Sequence, residues 1–145
     1  MTIKTCSGAI SFIKELEAES AKLYEGLAQR YGENKDMFLG FAKENRKYAT
    51  QVERAYYGVI TDAIEGCFAF DLNPEEYKLN TTLPESGSYT EALKHMLSME
   101  KIIEKCYIQA AEQSQHLLAD VPRTFHLVVK KRDDRIQKIK SLLGQ

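Results

Sequence analysis

The sequence predicts an all-α fold: an antiparallel four-helix bundle with one long crossover between the second and third helices. Three observations lead there. Apolar residues recur at three- and four-residue steps through four segments. Prolines occur only at 74, 84 and 122, outside the periodic interiors of those segments. Short breaks join the first segment to the second and the third to the fourth, whereas about twenty residues of little helical period separate the two pairs. No alternating run is long enough to build a sheet.

The first helix is expected from about Ser7 to Tyr31, stopping at "YGEN". The second starts near Asn34, a residue suited to an N-cap, and runs to about Glu65, where Gly66 is a stop. The crossover "CFAFDLNPEEYKLNTTLPESGS" follows. The third helix opens at "SYTE", with Ser88 and Glu91 spaced as a capping box, and runs to about His116. The fourth opens at "DVPR", with Asp120 as N-cap and a proline in the first turn, and ends at Leu143 before Gly144. The 145 residues suffice for one domain, 1–145, with a sizeable core.

Composition excludes several classes of function. Hydrophobic residues make up 43% and charged residues 28%, the balance of a globular chain. The net charge of −1, with acids and bases interleaved, gives neither nucleic acid nor a membrane surface a concentrated basic face. No apolar run approaches the ~18 residues of a membrane span, and charges arrive too early at the N-terminus for a signal peptide. Cys6, Cys67 and Cys106 are far apart with no C-x-x-C, so they are expected as reduced thiols of a cytoplasmic protein.

The inward stripes carry the functional information. They read Ile13, Glu17, Ser20, Tyr24, Leu27, Tyr31 in the first helix, and Phe38, Phe41, Asn45, Tyr48, Val52, Ala55, Val59 in the second. The third gives Leu93, Met96, Glu100, Ile103, Tyr107, Ala110, and the fourth Phe125, Val128, Arg132, Arg135, Ile139, Leu142. Each is interrupted near one level: by Glu17, by Asn45, by Glu100, and by Arg132 with Arg135. An ionised group in a core costs several kcal/mol unless it is paired or binds a metal. Four interruptions, one per helix, point to a shared polar centre.

The chain also repeats itself. Glu17 precedes Tyr24 by seven residues in "EAESAKLY", and Glu100 precedes Tyr107 by seven in "EKIIEKCY". "FAKENRKYA" and "VVKKRDDRI" align end to end, with Asn45 over Arg132 and Tyr48 over Arg135. Two similar hairpins joined by a crossover suggest internal duplication.

This pattern resembles the ferritin-like superfamily in its rubrerythrin branch. There, helices one and three each carry a glutamate seven residues before a tyrosine, and helices two and four each carry A-x-E-E-x-x-H-A. The resemblance implies a di-iron site held by the two glutamates together with the Glu and His of each E-x-x-H. In this chain Glu17 and Glu100 match the first pair. Asn45 and Tyr48 stand at the Glu and His positions of helix two, and Arg132 and Arg135 at those of helix four. A frame shifted by one would offer Glu44 as a ligand, but would turn Phe41, Tyr48 and Val52 off the core.

A carboxylate-bridged di-iron site needs about four carboxylates and two imidazoles. Arginine stays protonated and repels a dication. Arg132 and Arg135 are therefore expected to replace the irons as the cations of the core, paired with Glu17 and Glu100. No cofactor or metal is expected; any metal that did bind would use Glu17 and Glu100. The expected function is a non-catalytic binding or structural module, with a homodimer as its assembly; the "AYYGVI" face of helix two could supply the contact or could equally pack against the crossover. One alternative is a rubrerythrin-like di-iron oxidoreductase that reduces peroxide or oxidises ferrous iron. Another is a small anion gripped by Arg132 and Arg135 in the bundle core.

Other candidates read as structural. His95, His116 and His126 form no E-x-x-H or H-x-x-x-H pair and are expected at the surface or rim. Cys106 is expected as core filler, and Cys67 as an exposed thiol at the start of the crossover. Lys130, Lys131, Asp133 and Asp134 read as a solvated helix face. Tyr24, Tyr48, Tyr56, Tyr57 and Tyr107 read as packing.

Overall fold

The computed structural model describes residues 2–59, 70–82, 87–116 and 120–145. Its described residues contain four long helices: α1 (Cys6–Arg30), α2 (Lys35–Val59), α3 (Tyr89–Gln113) and α4 (Asp120–Leu142). Short 3-10 turns lie at Gly32–Asn34 and Pro74–Tyr77. The expectations on Glu65, Gly66, Cys67 and Pro84, and on the Val59 side chain, fall outside the described residues.

The helix ends show where local chemistry overrode the expected boundaries. Helix α1 starts at Cys6 because the Thr5 hydroxyl accepts from the Gly8 amide at 3.1 Å, one orphan donor of the first turn. Helix α2 begins at Lys35, directly after Asn34. Asn34 closes the 3-10 turn that leads into α2, and its side-chain amide donates to the Tyr89 hydroxyl. Ser88 does cap α3, accepting from the Glu91 amide at 3.2 Å.

Helix α3 stops at Gln113, short of His116. The Gln113 side chain is held by the Asp71 backbone through two bonds of 2.9 and 3.1 Å, and the chain turns at Ser114. Asp120 is the first residue of α4 rather than its cap. Beyond Leu142, Gly144 takes a φ of 79°, its amide bonds Ser141 and the Gln145 amide bonds Lys140. That is the Schellman closure, and only glycine adopts such a φ without strain. Leu142, expected on the inner stripe, is 43% exposed in this final turn.

The helices pack around one contiguous apolar core, α1 chiefly on α2 and α3 chiefly on α4, with α2–α4 and α1–α3 contacts closing the set. This packing is compatible with a helical bundle. Of the stripe residues, Tyr31 and Ala55 are half-buried at the edges. The Tyr31 hydroxyl donates to the Gly87 carbonyl at 2.7 Å.

The described part of the crossover is tied down at both ends. Ile3 and Leu72 exchange backbone hydrogen bonds of 2.7 and 3.0 Å in an isolated bridge, and Gln113 holds Asp71. Further on, the His95 ring bonds the Asn80 carbonyl. Between them Tyr77 is buried against Phe12, ring centroids 6.2 Å apart. No helix of the described residues is long and apolar enough to cross a membrane.

Candidate functional site

Midway along the helices the structure brings Glu17, Asn45, Glu100, Arg132 and Arg135 into contact, none more than 4% exposed. Each arrives because its helix turns that register inward, with apolar stripe residues one turn above and below: Ile13 for Glu17, Phe41 for Asn45, Ile103 for Glu100, Val128 and Ile139 for the arginines.

Arg132 is the hub and is fully buried. Its terminal nitrogens grip Glu17 as a fork, NH1 to Oε2 at 2.7 Å and NH2 to Oε1 at 2.6 Å. Its Nε donates to Glu100 Oε2 at 2.8 Å, so one guanidinium spans both carboxylates. Arg135 reaches the same centre from one turn further along α4. Its NH1 donates to Asn45 Oδ1 at 2.6 Å and to Glu100 Oε1 at 3.0 Å. The Asn45 amide donates in turn to the Ser20 hydroxyl at 2.8 Å.

The two tyrosines of the sequence repeat serve the centre crosswise. Tyr107 on α3 donates to Glu17 of α1 at 2.7 Å, and Tyr24 on α1 donates to Glu100 of α3 at 2.5 Å. All four carboxylate oxygens therefore accept at least one hydrogen bond.

Tyr48 joins in a different way from the one its stripe position suggests. Its phenol stays out of the centre, 3.4 Å from Glu44 Oε2. Its ring face instead meets both guanidiniums, 5.5 Å from Arg132 Cζ and 5.6 Å from Arg135 Cζ. Phe41 supplies a second face at 4.5 Å from Arg135.

Electrostatics follow the geometry. Burial would raise the Glu100 pKa, but Arg132 and Arg135 outweigh it and hold the carboxyl below its ordinary value. Burial would lower the pKa of both arginines. Glu100 and Glu17 reverse this for Arg132, raising it well above its ordinary value, and Glu100 with Tyr24 raises Arg135 above its own. Tyr24 and Tyr107 are pushed well above 10, by burial first and by the adjacent carboxylate second. Burial also lifts the Cys106 thiol to about 12, so this buried cysteine is a poor nucleophile.

The donor set does not fit a di-iron centre. Its carboxylates are two rather than four, their oxygens are engaged by arginine and tyrosine, and the space between them holds a guanidinium. No imidazole reaches the cluster: His116 and His126 are exposed, and half-buried His95 bonds Asn80. Among the described residues no group of three or more His, Cys, Asp or Glu is arranged to hold a metal ion.

Four further residues take part at the centre or its edge. Ser20, placed on the inner stripe with no role assigned, accepts from the Asn45 amide. Tyr24 and Tyr107 read as packing, although the paired seven-residue spacing was a signal for a role beside the glutamates. Glu44 was set aside with the shifted frame; its side chain is half-exposed, but Oε1 comes within 3.5 Å of Arg135 NH2. Lys130, Lys131, Asp133 and Asp134 are exposed.

Comparisons with protein-family profiles, with curated proteins and with solved structures give no match.

Proposed function

We propose that the chain is a ferritin-like antiparallel bundle of the rubrerythrin kind whose di-iron centre has been replaced by a Glu–Arg ion-pair network, and that it acts as a non-catalytic binding or structural module. The observation that carries this reading is Arg132, whose single guanidinium bridges Glu17 and Glu100 where a metal would otherwise join two carboxylates. The crossed tyrosines support it, because the same glutamate–tyrosine spacing recurs on α1 and α3. The surface pairs Lys14–Glu53 and Glu25–Arg46 support opposed senses for α1 and α2, each joining an early position of one helix to a late one of the other. For assembly, the homodimer remains the proposal, with Tyr57 of α2, 64% exposed beside buried Tyr56, as its contact.

Metal analysis tests the reading. Protein purified without added metal, then incubated with ferrous iron in air, is expected to hold no stoichiometric iron and to show no ligand-to-metal absorbance. About two irons per chain would overturn the proposal and restore a di-iron oxidoreductase.

A further inference from the structure

The two arginines of the centre are not equally satisfied. A guanidinium carries five N–H donors. Arg132 spends Nε, NH1 and NH2 on carboxylates at 2.6 to 2.8 Å. Arg135 spends only NH1 in that way. Its NH2 meets the Phe41 carbonyl at 3.4 Å and Glu44 Oε1 at 3.5 Å, both long for a charged donor. Its Nε is buried with no hydrogen-bond partner among the described residues. Nε and NH2 together form one edge of the guanidinium fork, the edge that matches two oxygens of a single oxyanion.

Arg135 itself stands in the wall of a cleft, with Glu44 over its NH2. Between α2 and α4 lies a concavity of about 380 Å³ with Arg135 in its wall, beside the same Phe41 and Glu44 that its NH2 approaches. The size falls within the roughly 300–1,000 Å³ of small-ligand sites. Lys47, Lys131 and Lys138 line it too, against the acids Glu44 and Asp134, so cations outnumber anions. Among the described residues none of these lysines has a carboxylate within ion-pair distance. Lys131 and Lys138 instead sit over the Tyr48 and Phe41 rings at 5.9 and 5.8 Å, poised at the rim.

We propose that this cleft binds a small oxyanion, a carboxylate or a phosphate group, on the Nε–NH2 edge of Arg135, with Lys47, Lys131 and Lys138 at the rim. Glu44 is its internal competitor. It is half-exposed, it holds Arg135 only at 3.5 Å, and it swings into solvent when an external anion takes the edge. This inference rests on the proposed reading in one respect, that the centre is metal-free and Arg135 is one of its fixed cations.

The test is a titration of the whole chain at low ionic strength with inorganic phosphate and, separately, with succinate, following the Nε–Hε resonance of Arg135 by NMR. That resonance is expected to shift saturably with at least one anion, and the tighter of the two identifies the head group. Glu44→Gln removes the competitor and is expected to tighten binding about tenfold. The double variant Lys47→Ala/Lys138→Ala is expected to weaken it by about the same factor. All three changes fall on exposed residues, so they leave the core intact. An unmoved Arg135 resonance overturns the proposal, as does an affinity that neither variant alters. A metal-free chain that ignores both anions sinks this inference alone, whereas stoichiometric iron sinks the reading beneath it.

Discussion

Arg132 illustrates how an unfavourable burial becomes a structural requirement. Taking its charge out of water costs several kcal/mol, and the fork to Glu17 with the Nε bond to Glu100 offsets that cost only while both carboxylates are in place. Removing one partner strands the rest. Glu100→Gln or Arg132→Met is expected to lower the unfolding free energy by about 3–5 kcal/mol, measured by denaturant titration. Replacing Glu17, Glu100, Arg132 and Arg135 together with apolar residues of similar volume is expected to cost far less than the single changes add up to, because no charge is then orphaned. The pH dependence has a definite sign. Arg132 and Arg135, working against burial, hold the Glu100 pKa below its unfolded value of ~4.3. Its stabilising contribution is present above that value and is lost as pH falls through the folded pKa. The unfolding midpoint is therefore expected to drop below about pH 4, with a shallower slope in Glu100→Gln.

At the scale of the elements, three- and four-residue periodicity was enough to place Glu17, Asn45, Glu100, Arg132 and Arg135 on inner faces, because a helix's own geometry fixes which side chains share a stripe. What periodicity cannot give is the direction in which a long side chain leaves its helix. Tyr48 has the right stripe position, but its phenol leans towards Glu44 one turn back and only its ring meets the arginines. Arg135 and Glu44 meet across helices, and no spacing within one helix encodes that. Helix ends were legible where the signal is local, as at Ser88 and at the start of α2 beside Asn34, and not where a distant partner decides, as at Gln113 with Asp71. The local caps make a prediction of their own: Thr5→Ala and Ser88→Ala are each expected to cost about 0.5–2 kcal/mol, read from thermal and denaturant midpoints, with no change at the polar centre.

For the whole molecule, the centre closes α1, α2, α3 and α4 on one another through charge as well as apolar packing. Its two phenols report on that closure. Tyr24 and Tyr107 have folded pKa values well above 10, so they favour the folded state below the unfolded value, and that contribution is lost as pH rises through the folded one. In an alkaline titration followed by tyrosinate absorbance, these two of the eight tyrosines are expected to ionise only as the chain unfolds. The resemblance can be tested in the reverse direction. The combined substitutions Asn45→Glu, Tyr48→His, Arg132→Glu and Arg135→His supply the ligand set that the rubrerythrin-like pattern lacks here. This variant is expected to be unstable without metal and to gain stability with added ferrous or zinc ions, measured as a rise in thermal midpoint absent from the parent chain.

Both cations of the centre come from α4, and both carboxylates come from helices that precede it. A ribosome therefore delivers Glu17 and Glu100 well before their counterions exist. Until residue 132 has emerged, collapse of α1 against α3 would bury two uncompensated negative charges, a cost expected to disfavour it. Arrival of α4 is expected to release that restraint, because it brings the two guanidiniums that Glu17 and Glu100 need in order to be buried together.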